Sequence, residues 1–248
     1  MSVHTVRCSE VWGGVRSIDL DVSTSGLVAS LYCSAADGGK GGDVYYFSVC
    51  DSDLLTRIAV ADVVGHGAAV SRVSTWLYDA LVEKMNSLEG NGVLRRLNHL
   101  ASERGLDALT TAAVVGVYRA DTHLYFSYAG HPPLLIRRHS ERAWRPADLP
   151  QREGPANLPL GVAADTHYDQ EAMPIAAGDR LCLCTDGVLE ARNGSGEPFG
   201  SQRLLALLER SDGDRPQVQK QALLTALYQH TGGALDHDDV TIMMLEVR

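Results

Sequence analysis

The chain has 248 residues, 45% of them hydrophobic and 21% charged, which is ordinary for a soluble globular protein and long enough for one sizeable core. A net charge of −9, with basic residues only in short runs such as "RRL" (95–97) and "IRRHSERAWR" (136–145), excludes the basic face of a nucleic-acid binder. No apolar run reaches the length of a membrane span, and the start "MSVHTVRCSEVWGG" lacks the basic and apolar regions of a secretory signal, so no membrane partner is expected and the cytoplasm is the default location.

Residues 1 to about 25 match no pattern more specific than a capping strand. "GLVASLYCSA" (26–35) reads as a strand and leads into the glycine run "GGKGGD" (38–43), whose glycines are expected to let the chain turn tightly into the next strand. "VYYFSVC" (44–50) and "LTRIAVADV" (55–63) form a hairpin around the turn "DSD". Val70, Val73, Leu77, Leu81 and Leu88 then fall at helical spacing and predict an amphipathic helix over 67–88. A second, shorter helix follows from "GNGVLRRLNHLASER". "TTAAVVGVYR" and "HLYFSYAG" are a further strand pair, and "PPLLIRR" is a third strand.

Residues 140–165 read as an irregular connection, with "IRRHSERAWR" a solvated loop, followed by the strands "DTHYDQEAMPI" and "DRLCLCTD". "GVLEARNGSGEPFG" is expected to be a glycine-rich loop. Two helices, "SQRLLALLER" and "RPQVQKQALLTALYQH", come next, the second capped by Asp214 ahead of Pro216. "DVTIMMLEV" closes the chain as a strand. Strands and helices come in blocks, which points to an α+β fold in a single domain, 1–248. Five cysteines without paired spacing argue against a disulfide framework, and Cys182 and Cys184 share one face of a strand as buried residues.

The chemistry-bearing pattern is a set of aspartates at strand ends. With the hairpin turn centred between Ser52 and Asp53, cross-strand partners sum to 105, which sets Asp43 opposite Asp62. Asp186 ends the strand "RLCLCT", and Asp238 and Asp239 precede the last strand. Carboxylates gathered at one end of a sheet repel one another unless a hard cation joins them, and an all-oxygen donor set suits magnesium or manganese. Other readings of the glycine run fail. Lys40 is followed by Gly41, so there is no phosphate-binding P-loop, and Val44 stands where a diguanylate cyclase carries an acid.

The ordered motifs "GGDVYYF", "VADVVGHGAAVS", "FSYAGHPPLLI", "LPLGV", "CLCTDGVLEARN" and "DDVTIMMLEV", spanning about 38–247, resemble the metal-dependent protein phosphatases of type 2C, in the bacterial branch of the sporulation phosphatase SpoIIE and the stress regulator RsbU. The resemblance implies a four-layer α-β-β-α sandwich of two mainly antiparallel sheets flanked by helix pairs. It implies two divalent cations, manganese or magnesium, and hydrolysis of phosphoserine or phosphothreonine by a metal-activated water, with Asp62 and Asp186 as the catalytic acids. Asp62 matches the metal-bridging aspartate, with the carbonyl of Val63 as a further ligand; Asp43 and Asp186 match the acids of the "GGD" and "DG" motifs. The last ligand is Asp238 or Asp239, with Asp238 matched to the first position of the superfamily's "DN" motif. Val64, Tyr46 and Tyr128 stand where the family often carries Ser, Asp and Asn. His66 lies four residues after Asp62, where type 2C enzymes carry their histidine two after, and His131 reads as structural. The branch's usual partners are phosphorylated anti-anti-sigma-type proteins. No sensor region precedes the motifs, so regulation is expected to come from partners, and the oligomeric state is left open. The alternative from another class is an inactive phosphatase-fold module that binds a phosphoprotein without turnover; acids retained at all four motif positions weigh against it.

Overall fold

A computed structural model describes residues 3–36, 38–65, 68–85, 89–105, 108–152, 154–211 and 215–248. The strands are β1 (Val3–Thr5), β2 (Val11–Arg16), β3 (Ile18–Ser23), β4 (Leu27–Ser34), β5 (Lys40–Val49), β6 (Leu55–Val63), β7 (Thr110–Tyr118), β8 (His123–Ala129), β9 (Leu135–Arg137), β10 (Arg145–Pro146), β11 (Glu171–Pro174), β12 (Arg180–Cys184) and β13 (Val240–Val247). The helices are α1 (Ala68–Lys84), α2 (Gly90–Arg104), α3 (Asp186–Glu190), α4 (Gly200–Arg210) and α5 (Pro216–Thr231). One sheet has the order β11-β8-β7-β6-β5-β2 and the other β1-β3-β4-β13-β12-β9-β10. Every pairing is antiparallel except that of β1 with β3.

The layering follows from strands that are apolar on both faces. Successive side chains of a strand point to opposite faces. In β5, Tyr45, Phe47 and Val49 enter the core between the sheets, while Val44 and Tyr46 face α1 and α2. Ile58 and Val60 of β6 join the inter-sheet core, and Ala59, Ala61 and Val63 face the helices. Met243 and Leu245 of β13 face between the sheets, and Ile242 and Met244 face α4 and α5. Helix α2 buries Val93, Leu94, Leu97 and Ala101, one stripe at helical spacing. Helix α5 begins with Pro216 and ends at Gly232 in the left-handed region, φ +83. The result is the expected α-β-β-α sandwich.

Several local expectations are corrected. The first 25 residues supply three strands, shared between both sheets, not one capping strand. The segment read as a glycine-rich loop opens with the helical turn α3, and only Glu171–Pro174 of "DTHYDQEAMPI" is strand. "IRRHSERAWR" is not simply solvated: Trp144 is buried against α4 and α5, and Arg137 is buried with its guanidinium donating to the carbonyl of Glu141 at 2.9 Å. The helix positions at Gly67 and Leu88 and the cap at Asp214 lie outside the described residues.

Phe47 is fully buried between the sheets. Phe47→Ala is expected to lower the unfolding free energy by about 3–5 kcal/mol in urea titration, because the cavity cannot collapse between two hydrogen-bonded sheets.

Candidate metal centre

The acids continue the inter-sheet rows. Counting back by two from Phe47 and Tyr45 gives Asp43; counting on from Ile58 and Val60 gives Asp62. The register pairs Asp43 directly with Asp62, as the hairpin arithmetic predicts. The end of the inter-sheet core is therefore closed by two carboxylates in place of two apolar side chains. Both are buried, Asp43 at 1% exposure and Asp62 at 8%.

From the facing sheet, Thr185 follows β12 and Asp186 opens α3. Thr185 occupies the N-cap position of that helical turn, yet makes no side-chain cap. Its hydroxyl donates instead to Asp43 Oδ2 at 3.0 Å and accepts the Thr241 N–H at 3.0 Å. Thr185 thus holds Asp43 from the opposite sheet. Sequence reasoning passed over it, although its place two residues after the inter-sheet Leu183 sets it on the same face. Asp43 Oδ1 is buried without a hydrogen-bond partner.

Burial is the largest cause raising the pKa of Asp43. The hydroxyls of Thr241 and Thr185 oppose it, and the charges of Asp239 and Asp238 add to it. Thr241 exerts this pull by proximity, since its hydroxyl meets no partner with hydrogen-bond geometry. Asp62 is raised by burial first, then by the charges of Asp43 and Asp186, a hydrogen bond with the Asp186 carboxyl, and the charge of Asp238. Asp238, half-buried, is raised by burial and by Asp186 and Asp239. Asp43, Asp62, Asp186, Asp238 and Asp239 therefore form one electrostatically linked group.

Asp239 differs. It is buried, and its Oδ1 accepts the Ala36 N–H at 2.8 Å while its Oδ2 accepts the Gly42 N–H. Val63 is fully buried, and a side chain at Gly42 would come within 2.7 Å of its carbonyl oxygen. His131 is buried with Nδ1 2.7 Å from the Pro132 carbonyl; burial holds its pKa down to about 4, with Asp186 pulling the other way. His66 lies outside the described residues. Among the described residues, no three His, Cys, Asp or Glu side chains are gathered tightly enough to hold a cation as they stand. The donor chemistry nevertheless fits one: oxygen donors only, an orphaned carboxylate oxygen at Asp43, and mutual repulsion that a cation would relieve.

The glycine run also reads differently. Gly41 and Gly42 lie inside β5, and neither has positive φ; of the run, Gly38 does, at +77. A Cβ at Gly41 would collide with the Asp239 carboxylate, and one at Gly187 with the Asp239 carbonyl. These glycines serve close approach and not a turn. A cavity of about 230 Å³ lined in part by Leu55, Arg57, Met85 and Gln170 lies towards the other end of β6, away from the acids.

Raised folded-state pKa values mean that the folded metal-free protein holds protons that the unfolded chain has released. Its stability is then fully present below the ordinary carboxylate range, about pH 4, and falls as pH rises through neutrality towards the folded pKa values. Thermal melts in chelator are expected to show this slope, and Asp62→Asn is expected to raise the melting temperature at pH 8 and flatten it. Thr185→Val, which removes the donor to Asp43, is expected to destabilise the protein by about 1–3 kcal/mol in the same buffer.

The sequence matches the family described as Stage II sporulation protein E (SpoIIE) over residues 52–248. It is 27% identical over 208 residues to the phosphoserine phosphatase RsbU of Bacillus subtilis (strain 168), covering 82% of this chain and 58% of that protein. The chain spans less than two thirds of the length of the curated relatives it matches. In fold it is similar to the RsbU and RsbW domains of Rv1364c from Mycobacterium tuberculosis, with TM-score 0.75, 22% identity and coverage of 95% of this chain and 62% of that one. It is also similar to RsbX in complex with magnesium, with TM-score 0.69, 15% identity and coverage of 93% and 100%. With a family match over residues 52–248 and the same sandwich fold, the chain belongs to the SpoIIE family.

Proposed function

We propose that residues 1–248 act as one metal-dependent protein serine/threonine phosphatase unit, working on a phosphorylated protein of the anti-anti-sigma type in a bacterial signalling pathway. The observation that carries this reading is the Asp43–Asp62 pair at the end of the inter-sheet core, with Asp186 and Asp238 close enough to perturb it. Similarity to a relative named phosphoserine phosphatase, and to RsbX with its magnesium, supports the reaction class and the cofactor.

Asp43, Asp62, Asp186 and Asp238, with the Val63 carbonyl, are the residues that would hold two divalent cations, manganese or magnesium. Bound there, the cations supply Lewis acidity that acidifies an attacking water and offsets charge on the phosphoryl oxygens. The chain's own contribution is preorganisation. The β5–β6 ladder fixes Asp43 against Asp62, and Thr185 keeps its proton directed at Asp43 Oδ2, which leaves Oδ1 free for another partner. Asp186 opens the first turn of α3, directly after Thr185, and so is carried to the same end of the sandwich.

Hydrolysis of a generic aryl phosphate is expected to require manganese or magnesium and to fall at least about 100-fold in Asp62→Asn and Asp186→Asn. Release of phosphate from a phosphoserine-bearing anti-anti-sigma-type protein is expected to follow the same pattern. A wild-type protein that binds metal and turns over no more than these variants contradicts the enzymatic reading and leaves a phosphoprotein-binding module.

A further inference from the structure

Asp239 ties together three segments that are distant in sequence. Its side chain accepts from the backbone of Ala36, just before the glycine run, and from that of Gly42, next to Asp43. Its carbonyl lies against Gly187, next to Asp186, so closely that a Cβ there would collide with it. His237, two residues earlier, has Nε2 2.8 Å from the Gly187 carbonyl oxygen and joins the same two segments. Both carboxylate oxygens of Asp239 are thus engaged by N–H donors, whereas half-buried Asp238 accepts one, the Asp239 N–H at 2.8 Å on its Oδ1, and its charge is felt by Asp62. Gly41 is required because a side chain there would fill the space that the Asp239 carboxylate occupies, and Gly42 because one there would meet the Val63 carbonyl oxygen and the Val70 side chain.

We propose that Asp239 is a positioning residue and not a metal ligand: it clamps the backbone at Ala36 and at Gly42 so that Asp43 is delivered to the metal centre, and it leaves Asp238 as the acid facing that centre. This rests on the metal-dependent reading above. The two roles predict opposite signs in the metal-free protein. Removing a ligand acid takes away one of several repelling charges. Removing the clamp leaves the buried Gly42 amide and the partly buried Ala36 amide without an acceptor, which outweighs the charge relief.

The test uses the full chain, first in chelator. Asp239→Ala is expected to lower the melting temperature and to speed hydrogen exchange across residues 36–42 at least about tenfold. Asp238→Ala is expected to leave that exchange within about twofold of wild type. Gly41→Ala is expected to mimic Asp239→Ala, and its effect is expected to shrink in the Gly41→Ala/Asp239→Ala double variant, because the colliding carboxylate is gone. With saturating manganese, Asp239→Ala is expected to lower kcat on the aryl phosphate with KM little changed, and Asp239→Asn, which keeps one acceptor, to recover part of it. The proposal is overturned if Asp239→Ala leaves exchange over 36–42 unchanged and raises metal-free stability as Asp62→Asn does. It is also overturned if the two single changes add fully in the double variant. If the wild-type protein hydrolyses nothing, the phosphatase reading fails while the exchange and melting results still decide the clamp.

Discussion

Carboxylates held against one another by a β-ladder are the constraint on which the site depends. The inter-sheet rows that run Phe47, Tyr45 and Ile58, Val60 would close most stably on two more apolar side chains. They close on Asp43 and Asp62, paired in register and nearly excluded from water. A sheet cannot slip by one residue to separate them without turning every core side chain of the strand to the wrong face. Hydrophobic packing therefore holds an electrostatic conflict in place, and the charges of Asp186 and Asp238 sharpen it. A divalent cation would relieve that conflict, and this is the physical basis of the proposed metal site.

The neighbouring residues make sense as supports for that arrangement. Thr185 gives up an N-cap bond to reach across the sandwich to Asp43. Asp239 reaches from the start of β13 to the backbone beside Asp43. The glycines of the "GGD" and "TDG" motifs let these contacts close, since side chains at Gly41 and Gly187 would collide with Asp239. Adjacent acids thus stand in different surroundings: Asp238 accepts one main-chain N–H, that of Asp239, at its Oδ1, whereas both oxygens of Asp239 are engaged by the main chain.

Much of this was legible in the sequence, for identifiable reasons. The hairpin register could be computed because the turn at 51–53 is short, which fixes the partner of Asp43 from local spacing. The α+β class followed from strands and helices set in blocks, and the sandwich from the resemblance carried by the ordered motifs. What could not be read depends on long-range approach. Gly41 and Asp239 are far apart in the chain, so the run "GGKGGD" looked like a turn when it is partly strand. The helical turn at Asp186–Glu190 was hidden because "TDG" has the composition of a loop, and the first 25 residues were opaque because short, partly exposed strands carry little periodicity. Arg137 and Trp144 were misplaced because charge density around them masked the burial of their apolar parts.

The central claim is that the acid cluster is a cation site whose unoccupied charges oppose folding. A thermal melt of the chelator-treated protein at pH 8, titrated with manganese, tests it most directly. The account predicts a concentration-dependent rise in melting temperature of about 5–10 °C at saturation, lost in Asp62→Asn. A wild-type protein whose melting temperature does not move with manganese or magnesium, or a rise that persists unchanged in Asp62→Asn, would contradict it.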